Sequence, residues 1–223
     1  MQLVLVHGTT QSPDGWALVE RALSTAGHEV HAVDLAGADP RALAAQYAQL
    51  VVTQVPGGRA DVVAAHSGSG LLLPSIASAL RAAAQVYIAA LIPDGARSFR
   101  DELIADPHGV VHPGWVGVGP TVDVDTARHF LFHDCDEAVS SWAMTTLRRF
   151  LPSAVYDEVI APVEVPAMVI VPTGDRTLRP SWMVDAARHR LDVEPVMLDA
   201  GHCPHVSRPE HVARKLIEAA TTT

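Results

Sequence analysis

Two cysteines, Cys135 and Cys203, are the whole thiol content of this 223-residue chain. They stand in unlike contexts and do not form the evenly paired framework of a small secreted domain, so two free thiols in a reducing compartment are expected. Cations are scarce as well: 16 Lys+Arg against 25 Asp+Glu leave a formal charge of −9. Nucleic acids and anionic membranes are recognised through a basic footprint, so neither is expected as a partner. Long hydrophobic runs are missing. The longest mostly apolar stretch, AAAQVYIAALI at 82–92, falls well short of the about 20 residues that a membrane span needs. The N-terminal MQLVLVHG has neither a basic n-region nor a cleavage site. No internal repeat or low-complexity linker divides the chain. The expectation is a cytoplasmic protein with one domain over 1–223, whose 48% apolar residues suffice for a buried core.

What is present is a rhythm. LVLVHG (3–8), HEVHAVDL (28–35), DVVAAHS (61–67), QVYIAALIP (85–93), AMVIVPTGD (167–175) and EPVMLDAGH (194–202) are short runs rich in Val, Ile and Leu. Such near-continuous apolar runs are how strands buried on both faces of a parallel sheet read. Helical patterns lie between them. One at 14–27 ends on Gly27, a C-cap residue, one at 39–55 opens with Asp39-Pro40, and one spans 208–220. Strand and helix in alternation predict an α/β fold: a doubly wound, mostly parallel sheet of about six strands. From Pro93 to Pro166 the strand pattern stops. A Gly/Pro-rich irregular run (106–123) precedes two expected helices within 125–151 that meet near Asp134–Asp136. Ligands of open α/β sheets bind outside the carboxyl ends of the strands, and long insertions there are often lids. The segment 94–165 is therefore expected to be a small helical cap.

The stretch AAHSGSG (64–70) follows a strand directly and suits a nucleophile elbow. That turn is so sharp that the residues two before and two after the nucleophile must be small. Around Ser67 these are Ala65 and Ser69; around Ser69 they would be Ser67 and the bulky Leu71. Ser67 is thus the candidate nucleophile and Ser69 a support for the turn. A serine needs a base. His202 lies just past the last strand and Asp175 just past the one before it, in the chain order Ser, Asp, His. Asp175 would fix the imidazole tautomer, and His202 would take the serine proton. Asp94 as the acid and His205 as the base remain alternatives. VHGTT (6–10) leaves the first strand, and the amides of Thr9 and Gly68 are the candidate oxyanion donors.

His129 and His133, four apart on an expected helix with Asp134 and Cys135 adjacent, have a spacing that could bind zinc. No second ligand cluster completes such a site, so no metal is expected. His108, His112 and Trp115 fall in the irregular run, where Trp115 is a candidate substrate contact. Phe99, Trp142 and Met144 read as packing residues.

The segments LVLVHGTTQSPDGWALVERALSTAGHEVHAVDLAG, AALIPDGARSF and DAGHCPH resemble the α/β-hydrolase superfamily, and within it the branch of plant methyl esterases and hydroxynitrile lyases. AHSGSG departs from that branch's usual GHSxGG. The resemblance implies a covalent acyl-enzyme, no metal or organic cofactor, and a small-molecule ester as substrate. Carried over by position, Ser67, Asp175 and His202 match the triad, and Thr9 and Gly68 match the oxyanion hole. Lyases of the branch place a lysine directly after the catalytic histidine; here that residue is Cys203. The expected reaction is hydrolysis of a carboxylic ester of a small, fairly apolar substrate. Thioester or lactone cleavage, and a non-hydrolytic binding or lyase role, are the alternatives.

Overall fold

The computed structural model describes residues 1–221 except 40, 120 and 122. Among them the chain runs β1 (Gln2–Val6), α1 (Ala17–Thr25), β2 (Glu29–Val33), α2 (Ala44–Gln54), β3 (Val62–His66), α3 (Leu73–Ala79), β4 (Ala84–Ile88), α4 (Phe99–Ala105), α5 (Pro107–Val110), α6 (Val124–Phe130), α7 (Glu137–Thr145), β5 (Ala167–Pro172), α8 (Pro180–Leu191), β6 (Val196–Leu198), α9 (Pro204–Ser207) and α10 (Pro209–Thr221). The six strands form one sheet in the order β2-β1-β3-β4-β5-β6. Every neighbouring pair is parallel.

Alternation along each strand sends residues to two separate cores. Val4, Val6, Val63, Ala65, Tyr87, Val169 and Val171 face one layer, with Tyr47 and Val51 of α2, Ile76 of α3 and Met183 of α8. Leu3, Leu5, Val62, Ala64, Val86, Ile88 and Ile170 face the other, with Val19 and Leu23 of α1 and Val212 and Leu216 of α10. This is the doubly wound sheet that the unbroken apolar runs predict.

The ends of the elements have local causes. After α1, the His28 amide donates to the Leu23 carbonyl (3.1 Å) and the Gly27 amide to Ser24 (3.0 Å), with Gly27 at φ +82°. This is a glycine-closed helix end, as expected. The last strand is three residues rather than nine: Pro195 has no amide to give the ladder, so β6 starts after it, and the pairing with β5 ends at Leu198. The second helix starts at Ala44 and not at Asp39. Asp39 instead closes a turn by accepting from the Arg41 amide (2.8 Å); Pro40 of the expected cap lies outside the described residues.

In the 94–165 segment, α6 and α7 are the two expected helices, and Asp136 caps α7 by accepting from the Val139 amide (2.8 Å). The run taken as irregular contains α5. The segment is fastened at both ends. Near its start, Glu102 is nearly buried and meets Arg190 of α8 (2.5 Å) and Trp182 Nε1 (2.9 Å). Near its end, Arg148 pairs with Asp34 beyond β2 (2.5 Å), and the Thr10 amide donates to the Phe150 carbonyl (2.9 Å).

Candidate functional site

β3 delivers the chain into a tight 3-10 turn, Ser67–Leu71, that leads into α3. Ser67 sits at φ +54°, the left-handed region that a non-glycine residue enters only at a cost of about 1–3 kcal/mol. The turn is held in place: the Leu91 amide beyond β4 donates to the Ser67 carbonyl (3.0 Å), and the Ser69 hydroxyl donates to the His7 carbonyl (2.6 Å). Gly70 faces the Leu91 carbonyl so closely that a Cβ there would collide with backbone. Ser69 is fully buried and committed to this support.

The Ser67 hydroxyl lies 3.0 Å from His202 Nε2. On the other side of the ring, Nδ1 lies 2.8 Å from Asp175 Oδ2. A carboxylate only accepts, so Nδ1 carries the proton and Nε2 is free to receive one from the serine. Asp175 is fixed in turn: its Oδ1 accepts from the amides of Thr177 (2.7 Å) and Leu178 (3.0 Å) and from the Thr177 hydroxyl (3.0 Å). That hydroxyl is also 2.7 Å from His202 Nδ1. Thr177 is a site residue that the sequence reading passes over, although an Asp followed two residues later by Thr is a recognisable turn pattern.

A group of buried histidines backs the line. His66 Nε2 donates to the His202 carbonyl (2.8 Å), so in the neutral ring Nδ1 accepts, and the Gln11 carboxamide 3.0 Å away presents its NH2 to it and its oxygen to the Cys203 thiol (3.3 Å). The His66 ring stands 4.7 Å from His202 and 4.4 Å from His205. Burial pulls His66 well below the usual histidine range and His205 down to about 3. Burial likewise takes His7 to about 4; its Nδ1 donates to the Gly8 carbonyl (3.0 Å) and its Nε2 accepts from the Leu35 amide (3.2 Å). All three are neutral struts.

The alternatives separate cleanly. Asp94 pairs with Arg97 (3.0 Å) and Arg190 (3.7 Å) and does not orient His202. His205 packs on His66 and Trp16, while the Ser67 hydroxyl is met by His202. The amides of Thr9 and Gly68 make no hydrogen bond within the described residues. Their residues are adjacent, a Cβ at Gly68 falling 2.8 Å from Thr9 Cγ2. Ser67, His202, Thr9 and Gly68 all face one cavity of about 430 Å³.

The cavity walls come largely from the 94–165 segment. Leu103, Val111, Trp115, Leu131 and Phe150 give them an apolar character. Trp115 is where the sequence reading expects a substrate contact. Phe99 packs against the core, as expected, with its ring 5.6 Å from Tyr156, and it also lines the cavity. Trp142 and Met144 do pack, on the Leu131–Phe132 cluster. α6 ends at Phe130, so His129 and His133 do not share a helix face as expected; His129 contacts Arg176, and His133 packs on Gly201. Among the described residues, no group of three or more His, Cys, Asp or Glu side chains could hold a metal ion. No helix among them is long and apolar enough to cross a membrane.

A model of the alpha/beta hydrolase family matches residues 3–215. No curated protein sequence matches the chain. Solved structures do. Polyneuridine aldehyde esterase is 18% identical, with 97% of this chain and 98% of that one covered at a TM-score of 0.77. A methylesterase from Arabidopsis is 18% identical over 100% of both chains, also at 0.77. A pyrethroid hydrolase from Sphingobium faniae is 18% identical over 99% of this chain and 97% of that one, again at 0.77. At such identities the likeness speaks to the fold alone.

Proposed function

We propose that this chain, which belongs to the alpha/beta hydrolase family, is a serine hydrolase that cleaves a carboxylic ester of a small, fairly apolar substrate. The observation that carries this reading is the unbroken line from Ser67 through His202 to Asp175, at 3.0 and 2.8 Å, beside two unengaged amides. Ser67 Oγ attacks the ester carbonyl as its proton passes to His202 Nε2. Asp175 holds the tautomer and stabilises the imidazolium. The amides of Thr9 and Gly68 receive the negative oxygen, and each such donor is worth about 3 kcal/mol of barrier. Collapse expels the alkoxide, which takes the proton from His202. Water, deprotonated by the same ring, then releases the acid from Ser67.

The 94–165 segment serves as the cap, and its apolar walls, with Trp115 among them, support an apolar acyl or alkyl group. Thioesters and lactones present the same carbonyl and stay within the reading. Cyanohydrin cleavage does not: it needs a cation beside the base to hold departing cyanide, and the neighbour of His202 is Cys203, whose thiol burial pushes well above its ordinary range and keeps neutral. The two unpaired thiols support a cytoplasmic setting. The test is labelling by a fluorophosphonate probe. Rapid adduct formation mapped to Ser67, with turnover of short nitrophenyl esters, is expected. Absence of both, or benzaldehyde release from mandelonitrile that depends on His202, would overturn the assignment.

A further inference from the structure

Gly68 follows the candidate nucleophile directly, where the resembling motif carries a variable side chain. Backbone conformation does not demand glycine there, since Gly68 is not among the residues with positive φ. Space does. A Cβ at position 68 would lie 2.5 Å from the Tyr156 hydroxyl and 2.8 Å from Thr9 Cγ2, closer than real Cβ contacts come. The volume that a side chain would take beside the oxyanion amides is filled by a phenol reaching across from the cap.

We propose that the Tyr156 hydroxyl is a third hydrogen-bond donor to the oxyanion, and that Gly68 is glycine in order to admit it. The inference rests on the hydrolase reading. Tyr156 lines the reaction cavity together with Thr9, Ser67 and Gly68. It is carried on a short 3-10 turn, Ser153–Asp157, and held from both sides: its ring lies against Phe99, and the next residue, Asp157, pairs with Arg100. Burial pushes the phenol up to about 12, against a smaller opposing pull from the Thr9 side chain. The group therefore stays protonated and able to donate throughout the range in which an imidazole can act as base. A neutral donor fixed before the charge develops stabilises the transition state more than the ester ground state.

The experiment compares wild type with Tyr156→Phe, Gly68→Ala and the double variant, each checked for wild-type-like folding by thermal melting. The ring of Phe keeps the packing on Phe99 and removes only the donor. For nitrophenyl butyrate, Tyr156→Phe should lower kcat on the order of 10- to 100-fold with KM within about twofold. Affinity for an alkyl trifluoromethyl ketone, which forms a tetrahedral oxyanion on the serine, should fall in parallel. Affinity for the matching secondary alcohol, which forms none, should not move. Gly68→Ala displaces the phenol, so adding Tyr156→Phe to it should cost little more. A Tyr156→Phe variant with wild-type kcat and ketone affinity, or losses that simply multiply in the double variant, would overturn the proposal. A wild-type protein that neither turns over the ester nor takes the fluorophosphonate at Ser67 would remove the hydrolase reading and the proposal with it, a result distinct from an active wild type with an indifferent Tyr156.

Discussion

The floor and the walls of the cavity are built by different means. The floor is backbone-determined. Ser67, Asp175 and His202 each follow a strand, and the parallel register of β3, β4, β5 and β6 brings their ends to one edge of the sheet. Their polar contacts are short and divided between main chain and side chains. The walls are side-chain-determined. Trp115, Phe99 and Tyr156 come from short helices and 3-10 turns of the 94–165 segment, which is tied to the rest of the fold by a few ion pairs and a few main-chain bonds, such as those from the Thr10 amide to the Phe150 carbonyl and from the His112 amide to the Thr177 carbonyl. Geometry set by a sheet resists change, whereas geometry set by packed side chains can be retuned residue by residue. The floor should therefore govern whether reaction occurs, and the walls which substrate reacts.

The sharpest test of that division is at the floor's centre. Ser67→Ala should lower ester hydrolysis by several orders of magnitude, about 10⁴-fold or more, and abolish probe labelling. Ser69→Ala, two residues away, should retain activity within about tenfold and lose on the order of 1 kcal/mol of stability, because its buried hydroxyl bonds the His7 carbonyl. Probe adduct at Ser69, with Ser67→Ala still active, would reverse the two roles.

Next is the acid. Asp175→Asn should cost roughly 10⁴-fold in kcat by offering an amide where Nδ1–H must donate. Asp94→Asn, at the root of the cap, should leave kcat near wild type, since its partners are Arg97 and Arg190. Equal damage from both would mean that the cap root is part of the floor.

The two regions also differ in how plainly they are written in the sequence. The floor is legible because strands buried on both faces must be largely apolar, which marks β1, β3, β4 and β5 and hence the residues that follow them. β6 is less so, because Pro195 hides within an apolar run. In the walls, nothing in SAVYDEV announces that Tyr156 meets Gly68, 88 positions away, since that contact depends on how the cap folds back. Phe99 looks like any packing aromatic until its place on the cavity is known. Gln11 and His66 are also silent in the sequence. Gln11 touches only neighbours of the reacting residues, His66 and Cys203, and His66 reaches His202 through its main-chain carbonyl, a contact that no motif records.

Histidines sharpen the contrast through pH. In the floor, His7, His66 and His205 are buried and neutral, whereas His108, His112 and His129 of the cap are exposed. A folded-state pKa depressed below the unfolded value near 6.5 means that the unfolded chain binds more protons as pH falls. Stability is then fully present above about 6.5 and is lost progressively below it, until the native pKa is reached. For His7, from 6.5 to about 4, the loss is on the order of 3 kcal/mol; His205, taken to about 3, and His66 act in the same direction. Thermal melts should fall steeply between pH 6.5 and 4. A flat Tm over this range would contradict neutral burial of the floor histidines.

The smallest effect belongs to the walls. Trp115 is half-buried, edges onto Phe130 with ring centroids 5.4 Å apart, and presents the rest of its indole to the cavity. Trp115→Ala removes that surface without touching Ser67, His202, Thr9 or Gly68. For nitrophenyl acetate, which is too short to need the far wall, kcat should stay within about threefold. For longer acyl chains the enlarged space should move the optimum upward. The ratio of kcat/KM between octanoate and butyrate should rise by about tenfold, the scale of discrimination that one or two methylenes in an apolar pocket provide. A nitrophenyl ester series from two to ten carbons reads this directly. If acetate turnover collapses while the chain-length profile keeps its shape, Trp115 supports the floor, and the division between a sheet that reacts and a cap that selects does not hold at this residue.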